Sequence, residues 1–252
     1  MNLLVNRFGK HASLDEHARA ALEGTPYRAI SHQRRASLAS VGDAPRHALV
    51  LESGYAVAQV LHRNGDRSIS AIYLPGDILH LNSQTELPLS YSVEALTSGE
   101  TLRVEHGALN ALASQHLPIC QALRSIQFKE EERVRAVFTS VARGDAYDRL
   151  GSLLLSLWQR GQEIGLVRNG SMELPLTQTD LADALGLTSV HVNRTLQRLR
   201  ADGLVSCTGG MLAIADPQRL MQQVSTLGFR PGGNASPSRP EAKGYQTALA
   251  IT

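Results

Sequence analysis

Cysteine is nearly missing from this chain of 252 residues: only Cys120 and Cys207 occur, far apart and in no metal-ligand spacing. They read as reduced thiols in packed surroundings, not as a disulfide framework or a zinc site. Aromatic side chains make up only 4%, so Leu, Val, Ile and Ala must build the core. Neither sign of charge dominates, and the formal net charge of +2 means that any nucleic-acid surface has to be local. No apolar run approaches the roughly 20 residues of a membrane helix. Met1 to Lys10 lacks the apolar block and small-residue cleavage site of a signal peptide, and the chain reads as soluble and cytoplasmic. There is also no nucleophile–base constellation, metal motif or phosphate loop; Asn169-Gly170 and Gly209-Gly210 lack the loop's pattern. No catalytic or metal-ligating residue is therefore nominated, and the chain does not read as an enzyme.

What is present falls into segments. Leu14–Leu22 reads as a short helix with acids in its first turn. Ala48–Leu51, Tyr55–Leu61 and Ser68–Leu74 are short and rich in β-formers, with turn chemistry between them at Ser53-Gly54, Asn64-Gly65-Asp66 and Pro75-Gly76-Asp77. Short strands at this spacing predict a sandwich or barrel. Beyond Pro118 the period turns helical. Leu123, Ile126, Glu130, Val134, Val137 and Val141 follow Ile119 at helical spacing, and Gly144 marks the end. A helix of about 25 residues spans nearly 40 Å, more than one small domain covers, which predicts that a second copy packs along this stripe. A further helix is expected from Asp145 to about Arg160, and a strand over Met172–Leu176. The expected domains are a β-sandwich over 1–117, a dimerisation helix over 118–143 and a DNA-binding domain over 144–227. A Pro/Gly/Ser-rich tail over 228–252 reads as disordered.

The informative stretch is LTQTDLADALGLTSVHVNRTLQRLRADGLV, residues 176–205. Thr177 and Asp180 resemble a capping box. Leu181, Ala182 and Leu185 face inward on the first helix, and Gly186 ends it where positive φ is needed and where a side chain would obstruct a tight turn. Thr188 caps the second helix, whose Val192, Leu196 and Leu199 face the core. Its other side carries Ser189, His191, Asn193, Arg194, Gln197, Arg198 and Arg200, with no acid between Thr188 and Arg200. That donor-rich surface suits a helix lying in the major groove of duplex DNA. The alternative for such a face is plain solvation. A hairpin over Leu204–Ala215 with a Gly209-Gly210 turn completes a winged helix-turn-helix, which favours DNA.

This order of parts resembles the CRP/FNR transcription regulators over roughly residues 10–225. Leu74–Leu79 is similar to the turn that opens the ligand cassette of cyclic-nucleotide-binding domains. The resemblance implies an α+β chain: an N-terminal β-sandwich (a cyclic-nucleotide-binding-like jelly roll), a long dimerisation helix and a C-terminal winged helix-turn-helix. It places Ser189, Val190 and Arg194 at base-reading positions, with Arg194 on a guanine edge. Val190 stands where many members have Glu. Thr177 and His191 fall at phosphate-contacting or helix-orienting positions. The implied protein acts as a homodimer on a two-fold-symmetric site, in contact with RNA polymerase. A ligand pocket would involve Gly76, Asp77, His80, Tyr91 and Ser92, with an unidentified ligand. Cyclic AMP is not expected, because no arginine lies between Pro75 and Glu100. An iron–sulfur cluster is not expected either, because residues 1–119 hold no cysteine. A haem has only the lone His80 to point to. The alternative function is a small-molecule sensor that acts through protein contacts instead of DNA.

Overall fold

The computed structural model describes residues 3–80 and 87–224. Two short helices open the chain, α1 (Leu3–Gly9) and α2 (Glu16–Glu23). Asp15 caps α2 by accepting from the Ala18 amide at 2.7 Å, so the helix starts two residues after the expected Leu14. Eight strands follow: β1 (Arg28–His32), β2 (Ser37–Ala39), β3 (His47–Ser53), β4 (Ala56–Leu61), β5 (Arg67–Tyr73), β6 (Ile78–Leu79), β7 (Ser92–Ala95) and β8 (Gly99–Glu105). They form two antiparallel sheets in the orders β1-β8-β3-β6 and β2-β7-β4-β5. Leu49 and Leu51 of β3 meet Ala56 and Ala58 of β4 between the sheets. Ala48 and Val50 point the other way, under the helices. Both faces of β3 are thus covered, which is why its sequence is a continuous apolar run instead of an alternation.

Helix α3 (His106–Gln115) leads into α4 (Leu117–Arg143), 27 residues long with Pro118 in its first turn. The anticipated stripe on α4 divides in two. Ile119, Ala122 and Leu123 pack into the chain's own core with Leu4, Phe8 and Leu22, and Ile126 is also buried. This corrects the reading of Leu123 and Ile126 as interface residues: both are buried within the chain itself, Leu123 under α1 and α2, of which α1 gave no signal. Farther along, Val134 is 55% exposed and Val137 37%. Phe128 and Phe138, at 61% and 73%, project from the outward side of the helix.

Gly144 separates α4 from α5 (Ala146–Glu163), and a Cβ there would come within 2.7 Å of the Ser140 carbonyl. Then come β9 (Ser171–Glu173), α6 (Gln178–Leu185), α7 (Ser189–Ala201), β10 (Val205–Thr208), β11 (Met211–Ile214) and α8 (Pro217–Gln223). The three strands form one small sheet in the order β10-β11-β9. The core of this C-terminal part runs on into the outer face of the second sandwich sheet. Leu154, Leu181 and Leu199 share a cluster with Val57, Ile69 and Ile72. The tail over 228–252 lies outside the described residues. No helix among the described residues is long and apolar enough to cross a membrane.

Candidate nucleic-acid interface

The capping box at the start of α6 is complete. Thr177 Oγ1 accepts from the Asp180 amide at 3.1 Å, and Asp180 Oδ2 accepts from the Thr177 amide at 2.8 Å. Gly186 closes α6 with φ 62° and ψ 39°. A Cβ on Gly186 would meet nothing within 4 Å, so backbone conformation alone calls for glycine, and the expected steric obstruction is absent. Thr188 then caps α7, its Oγ1 accepting from the His191 amide at 3.2 Å. Val192 and Leu199 are fully buried and Leu196 is half-buried, which anchors one side of α7 and leaves the other outside.

On that outer side Val190 is 67% exposed, an apolar side chain presented to solvent. His191, Arg194 and Gln197 are exposed, and Ser189 and Asn193 are half-buried. Asn193 Nδ2 donates to Gln178 Oε1 at 3.2 Å while its Oδ1 accepts from Gln197 Nε2 at 3.0 Å. This amide ladder ties α6 to α7 and orients Asn193. Among the described residues the Arg194 guanidinium takes no hydrogen bond or ion pair. Arg198 is placed differently from the expectation: its guanidinium lies 4.6 Å from the centre of the Tyr147 ring on α5, beside Asp145, Asp148 and Asp202. It serves contacts inside the domain. Arg200 turns to the wing, donating to Thr208 Oγ1 at 2.7 Å. Thr208 pairs with Met211 across Gly209 and Gly210, which have φ of 60° and 75° as a two-residue hairpin turn requires.

The pocket residues named from the sequence do not form one site. Asp77 is buried and carries ion pairs with Arg7 of α1 (3.1 Å), Arg133 of α4 (3.8 Å) and Arg160 of α5. Burial works against its charge, but Arg160, Arg133, Arg7 and the Leu74 amide outweigh that and hold the carboxyl below its ordinary range. Gly76, at φ 88°, shapes the turn that aims Asp77 at these arginines. His80 and Tyr91 do come together, with ring centres 6.0 Å apart and Nδ1 at 3.3 Å from the phenol oxygen. Burial and the nearby His106 push His80 down to about 4. Ser92 Oγ donates to the Gln59 carbonyl at 3.4 Å. Sequence reasoning missed Arg67, which binds Asp180 and Asp183 from the sandwich side. A lone arginine at a strand start has no periodic signature.

A winged helix-turn-helix set on a double-sheet sandwich by a long helix defines a class: DNA-binding regulators with an appended sensor-type domain. Residues 148–223 match the Crp-like helix-turn-helix domain, and residues 30–116 match the cyclic nucleotide-binding domain. The chain is 30% identical over 208 residues to the nitrogen fixation regulation protein FixK of Azorhizobium caulinodans, covering 80% of this chain and 82% of that protein. It is 21% identical to the fumarate and nitrate reduction regulatory protein of Yersinia pestis, covering 83% and 84%. In fold it matches FixK2 of Bradyrhizobium japonicum with a TM-score of 0.69 at 23% identity, over 78% of this chain and 96% of that one. The chain belongs to the CRP/FNR family and is a transcription regulator with a helix-turn-helix DNA-binding domain.

The sandwich's family raises the question of a cyclic nucleotide. Between Pro75 and Glu100 no side chain supplies a cation: there is no Lys or Arg, and His80 is held neutral. Ser92 is engaged with Gln59, and Glu94 accepts from Gln59 Nε2 at 3.2 Å. The cyclic phosphate would meet hydroxyls and a carboxylate without a compensating charge, so the residues present do not fit it.

Proposed function

We propose that this regulator works as a homodimer on a two-fold-symmetric duplex site, reading bases through Ser189, Val190 and Arg194 of α7. Supporting this, Arg194 and Val190 are exposed on the open side of α7, and among the described residues the Arg194 guanidinium has no hydrogen-bond or ion-pair partner. Arg194 suits a guanine O6/N7 edge, and Val190 suits a thymine methyl but cannot accept from a cytosine amine. Thr177, Thr188, His191, Asn193 and Gln197 sit around these two as backbone-positioning groups. Phe128 and Phe138 on the outward side of α4 are exposed apolar groups that a second copy would cover, while Val134 and Val137 line the cleft that α4 forms with β5 and α5. Contact with RNA polymerase follows from the family resemblance, as does a cytoplasmic location beside the chromosome.

Selection of duplexes from a random library at several salt concentrations tests the reading. An enriched palindrome with half-sites about one helical turn apart is expected, with affinity falling steeply as salt rises. Arg194→Ala should relax one position in each half-site, at a cost of about 1–3 kcal/mol. A selected motif identical to that of the unaltered protein would overturn the base-reading assignment.

A further inference from the structure

We propose that the basic cleft where α1, the Pro75–Asp77 turn, α4 and α5 meet binds a small oxyanion with at least two negative charges, a phosphate ester or a dicarboxylate. The cleft has a volume of about 300 Å³. Arg7, Lys10, Lys129, Arg133 and Arg160 line it together with His11, and only Asp77 and Glu163 oppose them. Arg133 also pairs with Glu130. Asp77 alone faces three guanidinium groups. Lys10 Nζ donates at 3.2 Å to the backbone carbonyl of Glu163, not to its carboxylate. Among the described residues, neither Lys10 nor Lys129 forms an ion pair.

Donors are left over as well as charge. The Nε–H groups of Arg7 and Arg133 are buried with no acceptor among the described residues. A buried unpaired donor costs on the order of 1–3 kcal/mol, and more on a charged group. An oxyanion in the cleft would neutralise the excess charge through short charge-assisted bonds to the cationic side chains that line it. The local field is visible on His11, pushed down to about 4 by burial and then by Arg7, Lys129 and Arg133, with Asp77 pulling the other way. The arginines come from different parts of the fold: Arg7 and the turn belong to the sandwich side, Arg160 to the first helix of the DNA-binding domain. A bound anion would therefore bridge the two and favour the arrangement that holds them together.

The test needs no DNA, so it stands apart from the base-reading assignment. Pyrophosphate and succinate are titrated separately into the full chain by calorimetry at fixed ionic strength, with sodium chloride as the matched control. The His11 ring is followed by NMR across pH in the same samples. Saturable binding of either anion, with the His11 titration moving up from about 4, is the expected result. The Lys10→Gln, Lys129→Gln double variant changes only exposed side chains and should keep the melting temperature while weakening binding by at least about tenfold. Failure of both anions to saturate, an unchanged affinity in the double variant, or an equal His11 shift with chloride overturns the proposal.

Discussion

Arg67, the first residue of β5 at the edge of the second sandwich sheet, grips the carboxylate of Asp180, the same group that closes the capping box of α6. Its Nε–H also donates to Asp183 Oδ2 at 2.7 Å. Burial disfavours both charges. Yet the Asp180 carboxyl is held below its ordinary range by Thr177 and Arg67, and the guanidinium above its own by Asp180 and Asp183. The start of the helix-turn-helix and its docking onto the sandwich thus depend on one residue.

Replacing Arg67 with Met should leave α6 helical, since Thr177 still bonds Asp180, while removing its anchor to the sandwich. Breaking a partly buried pair of this kind costs about 1–3 kcal/mol. Amide hydrogen exchange in α6 should accelerate by about tenfold or more. Unchanged protection there would mean that the contact carries no energetic weight.

Asp77→Asn keeps the shape of the side chain but strands three guanidinium groups around a neutral amide. A loss of about 3–5 kcal/mol in urea unfolding is expected, because the uncompensated charges stay buried. A loss under about 1 kcal/mol would mean that solvent, not Asp77, balances them.

Stability should fall as the solution is acidified from about pH 6.5 to about 4. His80 is neutral when folded, down at about 4, whereas the unfolded chain protonates it near 6.5. The unfolded state therefore binds more protons inside that window, and the stabilisation is complete only above it. His80 alone should account for about 2 kcal/mol between pH 7.5 and 5. His11 adds to the same trend. His80→Asn, a residue that tolerates the local φ of 60°, should flatten the profile; an equally steep one would clear His80 of any part in it.

Charge placed on the outward side of α4 should separate the two copies. Light scattering of the Phe128→Glu, Phe138→Glu double variant should give half the mass of the unaltered dimer, with the fold retained. Leu123→Ala should instead lower stability by about 2–5 kcal/mol, because Leu123 fills the chain's own core. A dimer that survived both charges would rule out this surface as the interface.

Local signals carried much of the helix-turn-helix. A cap, a glycine at φ 62° and apolar positions three and four apart act over a few residues, so Thr177, Gly186, Thr188 and Val192 all sit where their pattern places them. The strands β3, β4 and β5 were legible for the same reason. The stripe on α4 was legible only as helix. Periodicity reports that a face is buried and is silent on what buries it. Leu123 and Val134 look alike in the pattern, although α1 and α2 cover the first and leave the second open. Arg198 looked like its neighbours on α7 until the Tyr147 ring beneath it was seen.

By itself the amino-acid order determined the element types, the recognition helix with its exposed Val190 and Arg194, and the lack of any cation after the cassette turn. These depend on neighbours within about one helical turn, or on composition alone. Only the tertiary structure decided that Asp77 gathers Arg7, Arg133 and Arg160, that Arg67 holds Asp180, and that His80 meets Tyr91. Partners as much as 113 residues apart meet through the packing of whole elements, and the Coulomb energy that joins them leaves no periodic trace along the chain.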